Sequence, residues 1–329
     1  MFNGKKNNYM GIRCLNRYFT QNCKKKSIEK KHLSTLNGKF IVIDISIYLY
    51  KYISQNLLHE NIYHMISLFH KYNIHPLFVF DGKPPPEKMD TLRKRHLLKV
   101  DAEQKYNQLN IELENTLDED LRENIIQDMY LLKRQFVRVK EKDISSVKEI
   151  MDAFGVKYYN ANGEADKTCA EIQLSNKYDC YGCLSDDMDM FVYGCSRVIR
   201  HLSLINETVL IYHRDRILDD LNISFPIFKQ ITILSGTDYN INDNNTTLFE
   251  TFKWYKEYEK SNDNSIDQYG FYNWLLKNTK YIKNYNSLIE IHRLFDVQIL
   301  TSDINYDINK NYNRNELKTI MSKYGFVFV

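Results

Sequence analysis

Apolar and polar positions along this chain fall into short apolar runs separated by longer stretches of helical spacing. Three runs, Lys39–Asp44, Pro76–Asp81 and Cys180–Asp187, are almost continuously apolar until each reaches aspartate. Runs of that length and composition predict strands buried on both faces, as in a parallel sheet. A fourth, shorter run covers Gly155–Tyr159. Helix-like stretches lie between them, so the order is β-α-β-α. The expected fold class is α/β, a mostly parallel central sheet flanked by helices.

A charged insertion without strand signal runs from Lys83 to Lys142, and its sign changes along the way. Lys83, Lys88, Arg93, Lys94, Arg95, Lys99 and Lys105 come first, acids from Glu112 to Asp128 follow, and Lys133, Arg134, Arg138, Lys140 and Lys142 close it. Two helices going up and coming back would carry an acidic tip on two basic feet. Beyond Asp238 lies an Asn-rich loop, Asn240–Asn245. Thr246 is then expected to cap a helix through Phe249, Phe252 and Trp254, and Glu257–Asp267 to form a flexible connector.

Composition changes this picture little. The 329 residues are 43% hydrophobic and 26% charged, an ordinary globular balance. No apolar run approaches the ~20 residues of a membrane span, and the first residues are polar and basic, so an intracellular protein is expected. Net charge is only +3, yet residues 1–35 hold nine Lys or Arg against the single acid Glu29. The richness in Asn, Lys, Ile and Tyr fits coding by an AT-rich genome. Cys180 and Cys183, with Cys195 and His201, have spacing compatible with zinc. Their place in a buried strand favours plain packing instead.

The candidate chemistry lies in the acids. In an open parallel sheet ligands bind at the carboxyl ends of the strands. Asp44, Asp81 and the cluster Asp186, Asp187, Asp189 stand at three such ends, and the fourth run leads to Glu164 and Asp166 at a helix start. One aspartate at a strand end is a common cap; four strands delivering acids to one edge need cations to offset their repulsion. Oxygen-only clusters suit Mg²⁺ or Mn²⁺, and two such ions catalyse phosphodiester hydrolysis. Ordinary caps, or a phosphatase of another class, are the alternatives.

With these residues in place the chain resembles the flap endonuclease family, including its XPG-type and exonuclease relatives. The likeness runs through Met10-Gly-Ile12, Val-Ile-Asp44-Ile-Ser, Val-Phe-Asp81-Gly-Lys-Pro-Pro85, Gly163-Glu-Ala-Asp166, Ser185-Asp-Asp187-Met-Asp189 and Leu234-Ser-Gly-Thr-Asp238-Tyr239. It implies a PIN-like nuclease core and five regions: an extension (1–9), an N-terminal nuclease region (10–82), a helical arch (83–145), an internal nuclease region (146–239) and a degenerate helix-turn-helix duplex-binding region with C-terminal helices (240–329). It also implies roles. Asp44, Asp81, Glu164 and Asp166 would surround one metal ion, and Asp187, Asp189 and Asp238 the second, with Mg²⁺ the expected cofactor and Mn²⁺ a substitute. Asp186 falls outside this set. Lys88 and Arg95 match the family's catalytic basic pair, and Tyr50 its base-stacking tyrosine. Arg93, Lys94, Lys99, Lys133 and Arg134 are the further DNA contacts expected.

The implied activity is 5′ flap endonuclease and 5′–3′ exonuclease hydrolysis in replication and repair. A bubble-, junction- or RNA-processing nuclease of the same superfamily, or an inactive nucleic-acid-binding scaffold, are the rivals. Expected partners are DNA with 5′ flaps or branched ends and RNA/DNA hybrids, for a monomer without a membrane or a sliding-clamp motif, in the nucleus or at a viral replication site. Two departures stand out: the nine residues before Met10, and Asn where the family has a Gly-x-Gly loop after Asp238.

Overall fold

A computed structural model describes residues 12, 14–175, 177–240, 247–261, 268–298 and 313–328. Its centre is a seven-stranded sheet. In chain order the strands are β1 (Ile28–His32), β2 (Phe40–Asp44), β3 (His75–Phe80), β4 (Lys157–Asn160), β5 (Cys180–Leu184), β6 (Arg197–Ser203) and β7 (Thr208–His213). They lie side by side in the order β1-β7-β6-β5-β2-β3-β4. From β4 to β6 every neighbouring pair is parallel, while β7 and β1 add antiparallel pairs at one side. The four runs expected from sequence are β2, β3, β5 and β4, and they form one contiguous parallel block.

Alternation along the strands explains the two-sided burial. Phe40 and Val42 of β2, Leu77 and Val79 of β3 and Cys183 of β5 enter one core. Ile41 and Ile43, Phe78 and Phe80, and Leu184 enter the other. The first core is covered by α1 (Leu15–Asn22), α7 (Ala165–Leu174), α8 (Asp189–Val192), α9 (Arg214–Leu221) and α10 (Phe225–Leu234), with α11 (Leu248–Lys260), α12 (Gly270–Asn278) and α13 (Tyr285–Leu294) packed outside. The second is covered by α2 (Ser46–Ser54), α3 (Leu58–Lys71), α6 (Glu141–Ala153) and α14 (Arg314–Lys323). The result is a three-layer α/β/α sandwich.

The charged insertion forms two long helices, α4 (Met89–Asn115) and α5 (Glu119–Lys133), turning at Thr116–Asp118. Asp118 caps α5 by accepting from Leu121 N at 3.1 Å. Two expectations farther along are corrected. Thr247 caps α11, accepting from Glu250 N at 3.2 Å, and Thr246, the expected cap, lies outside the described residues. That helix then continues through Lys260, because Phe252 and Thr251 bury its inner face, so Glu257–Lys260 is not connector. The extension 1–9, the Met10-Gly11 start and most of the Asn-rich loop (241–245) lie outside the described residues. No helix among the described residues is long and apolar enough to cross a membrane.

Candidate active site

Asp44 is the last residue of β2, Asp81 follows β3, and Asp187 stands three residues beyond β5. Because β2, β3, β4 and β5 are parallel, these acids and Glu164 emerge at one edge of the sheet. Each is held by a different donor. Asp44 accepts from Ser46 N at 3.0 Å and from Ser185 Oγ at 3.2 Å. Asp81 accepts from Ser46 Oγ at 2.5 Å and from Ala165 N at 2.8 Å. That second contact places a carboxylate on the N-terminal amide of α7, where the helix dipole favours negative charge. Glu164 is the N-cap residue of α7, so β3 and α7 deliver two acids side by side.

Their approach depends on Gly82. Its N–H donates to Gly163 O at 2.7 Å, and a Cβ there would lie 2.0 Å from Ala161 O. Only glycine lets the strand end pass this close to the loop carrying Glu164.

A second group comes from the β5–α8 turn. Asp187 N donates to Ser185 Oγ at 3.2 Å, and Asp187 Oδ1 accepts from Asp189 N at 2.8 Å. Asp189 is buried and its Oδ1 has no hydrogen-bond partner. Asp186 turns elsewhere: its carboxylate accepts from His201 N at 2.7 Å, while Arg200 Nη2 donates to its carbonyl at 2.8 Å. Asp238 lies past α10 in a turn closed by Asn240, whose Oδ1 accepts from Thr237 N at 2.7 Å and whose Nδ2 donates to Ile233 O at 2.7 Å.

The foot of α4 reaches into this cluster. Arg95 Nη2 donates to Asp238 Oδ1 at 2.6 Å. Lys88 Nζ donates to Glu164 Oε1 and lies 3.7 Å from Asp238 Oδ2. Thr91 Oγ1 donates to the Asp238 carbonyl at 2.5 Å. On the other side of Glu164, Tyr239 donates its hydroxyl to Oε2 and lies 3.2 Å from the Tyr193 hydroxyl.

Seven carboxylates face two cations here, and the imbalance shows in their protonation. Burial, then the charge of Asp81, pushes Asp44 up to about 7. Burial, then Asp238, pushes Asp187 up to about 6. Burial holds Asp166 and Asp189 well above the usual carboxylate range, reinforced by Glu164 and Asp187 respectively. For Lys88 burial opposes the charge, but Asp166, Glu164 and Asp238 outweigh it and raise the ammonium above its ordinary value. These are the signs of a site short of positive charge.

Among the described residues no three carboxylate, imidazole or thiol side chains converge closely enough to hold a metal ion as they stand. Lys88 and Arg95 occupy part of the space between the acids. The donor set nevertheless fits a hard divalent cation: oxygen ligands only, one buried carboxylate oxygen without a partner, and an excess of negative charge. The zinc alternative does not hold. Cys183 Sγ is 3.5 Å from Cys195 Sγ and directed to Cys169 O, inside the core, while His201 interacts with Asp186.

The remaining basic and aromatic candidates are dispersed. Tyr50 is 42% exposed, with Lys99 Nζ 4.7 Å from its ring centroid. Lys99 also donates to Val137 O at 3.0 Å, joining the two legs of the arch. Arg93 and Lys94 are exposed on α4, on other faces than the Lys88–Thr91–Arg95 stripe that meets the carboxylates. Lys133 and Arg134 are not near them. Tyr106 packs on Phe136 and Glu103 pairs with Arg138, which sets α5 against the upper part of α4. Lys133 and Arg134 therefore lie no nearer the foot than Tyr106, roughly 25 Å along the helix from Lys88. The contacts of Ser46, Ser185, Thr91 and Tyr239 were not foreseen: such common residue types carry no signal until the fold brings them to a carboxylate.

Comparison with known proteins places this arrangement. The XPG N-terminal domain model matches residues 10–102, and the XPG I-region model residues 155–238. Between them these spans carry all seven acids. Flap endonuclease 1 of Entamoeba dispar is 30% identical over 294 residues, covering 82% of this chain and 74% of that protein. Flap endonuclease 1 of Uncinocarpus reesii is 27% identical over 248 residues, 70% of this chain and 59% of its own length. In fold, the catalytic core of Rad2 in complex with DNA substrate aligns with a TM-score of 0.63 at 19% identity, covering 95% of this chain and 94% of that one. Flap endonuclease-1 from Methanococcus jannaschii aligns at 0.57 and 20% identity, covering 91% and 96%. Sequence models, a relative alignable over most of both chains and a shared architecture agree: this chain belongs to the XPG–flap endonuclease family.

Proposed function

We propose that this chain is a metal-dependent, structure-specific nuclease that cuts DNA bearing a 5′ flap and shortens 5′ ends. The observation that carries this reading is the meeting of strand-end acids with the foot of α4: Asp44, Asp81, Glu164, Asp187 and Asp238 share one edge, and Lys88 and Arg95 stand over it. Asp44, Asp81, Glu164 and Asp166 would hold one Mg²⁺, and Asp187, Asp189 and Asp238 the other. Bound there, two divalent ions supply an activated water nucleophile and neutralise charge on the leaving oxygen.

The chain's own residues do the rest. Ser46, Ser185 and the α7 amide fix the carboxylates before metal arrives, so little reorganisation is needed at the reaction. Lys88 and Arg95 pair with Glu164 and Asp238 in the free protein. Both basic side chains stand at the same edge as the acids and would stabilise charge that develops on a scissile phosphate there. Tyr50, exposed on α2 beside Lys99, offers a face on which a base can stack. Arg93 and Lys94 supply phosphate contacts that position the strand without reading sequence.

The test is a substrate panel in Mg²⁺: 5′-flapped, gapped, single-stranded and blunt labelled DNA, with a four-way junction and a bubble alongside. The expected result is fastest cleavage at the flap base. Preference for the junction or bubble would overturn the flap assignment, and no cleavage of any of them in Mg²⁺ or Mn²⁺ would overturn the nuclease reading.

A further inference from the structure

We infer that Thr91 is a positioning residue that pins the foot of the arch to the metal-centre loop, independently of the charges around it. The inference rests on the nuclease reading above for its consequence, but its geometry stands alone. Lys88, Thr91 and Arg95 are spaced at i, i+3 and i+7, one face of a helix. All three touch Asp238 or its neighbour Glu164.

The three contacts differ in kind. Lys88 and Arg95 bind carboxylate oxygens, the same atoms that a divalent cation would take. Those contacts would compete with a cation and with phosphate for the same atoms. Thr91 instead donates to the Asp238 backbone carbonyl at 2.5 Å, with Thr91 and Asp238 5% and 8% exposed. That carbonyl is not among the expected metal ligands, so its hydrogen bond stands outside such competition. Lys88 also sits at the N-cap of α4 without a side-chain cap of its own. The first turn of the helix therefore depends on Thr91 for a fixed position, and through it Lys88 and Arg95 stay within reach of the scissile phosphate.

Thr91→Val removes the hydroxyl and leaves the buried carbonyl without that donor. Amide exchange across residues 89–100, measured without metal or DNA, is expected to quicken about tenfold, while β2 and β5 stay unchanged. Single-turnover flap cleavage is expected to fall about tenfold at unchanged binding in Ca²⁺, and Thr91→Ser to restore it. In a Lys88→Ala/Arg95→Ala background, which removes both side chains that Thr91 positions, the Thr91→Val loss should shrink below twofold, since residues acting through one another are not additive. Thr91→Ala is read by the same criteria if the valine variant melts early. Unchanged exchange with cleavage within twofold of wild type overturns the inference, as does a full tenfold loss in the Lys88→Ala/Arg95→Ala background. The exchange arm needs no activity, so an inactive wild type would sink the nuclease reading and leave this inference standing.

Discussion

The sheet edge and the arch bring charged side chains to one place by opposite kinds of support. At the edge, all five residues of β2 are buried and each terminal acid has a backbone or hydroxyl donor. In the arch, α4 runs 27 residues and buries only Thr91 and Ala102. Leu97, Leu98, Ile111, Leu117, Leu121 and Ile126 are all more than half exposed. Precision at the edge comes from packing, which resists local opening; position in the arch comes from a few contacts at its foot. The ligands of a hard cation need the first kind of support. Side chains proposed to trade a carboxylate for a phosphate would be served better by the second.

The comparison breaks first at the edge. Asp187→Ala should reduce single-turnover cleavage in Mg²⁺ by at least ~10³-fold, as one group of a charge-stabilising set is removed. Flap binding in Ca²⁺ should change only a few-fold, because phosphate contacts come mainly from basic side chains. Cleavage by this variant within tenfold of wild type would mean that the β5 acids are structural.

The foot is the next place to press. Lys88→Ala and Arg95→Ala should each lower the single-turnover rate ~10²-fold while leaving affinity nearly unchanged, since their contacts strengthen as charge develops. Parallel kinetics and Ca²⁺ titrations read both quantities. Equal losses in affinity, with the rate at saturation intact, would make them ordinary phosphate contacts.

The smallest effect is on stability. Asp187 is raised to about 6 and Asp44 to about 7 in the fold, so the native state holds protons that the unfolded chain releases near pH 4. Their contribution is full below about pH 4 and is lost as pH rises through 6–7. Asp187→Asn escapes that loss. In EDTA its melting temperature should exceed wild type by several degrees at pH 8, for a difference of at most about 3 kcal/mol, and the two should converge near pH 4. Mg²⁺ should close the gap at pH 8 by stabilising wild type. A gap independent of pH would place the effect outside the titration of Asp187.

Much of this edge was legible before any coordinates. Continuous apolar runs ending in acid identify β2, β3 and β5 because burial on both faces leaves no other pattern. The arch was legible through the change of sign along it. The strands β6 and β1 were not: Arg197-Val-Ile-Arg-His and Ile28-Glu-Lys-Lys-His interleave charge with apolar residues, which blurs the signal of a buried strand. Nor did charge alone place Lys133 and Arg134. A basic cluster says which residues face solvent, but only the Tyr106–Phe136 register says how far up the arch they stand. The Asn-rich stretch was legible only as a loop replacing the family's Gly-x-Gly turn, and its first residue, Asn240, closes the turn that holds Asp238. Hydroxyl and amide side chains acquire such work from tertiary placement, which local pattern does not encode.

The central claim, that strand-end acids from both groups form one divalent-metal centre, is tested most directly by counting metal. Mn²⁺ binding followed by electron paramagnetic resonance, with flap DNA present, should give two ions per wild-type chain. Asp44→Ala and Asp187→Ala should each lose at least one of them. Two ions retained at wild-type affinity in both variants would contradict the account.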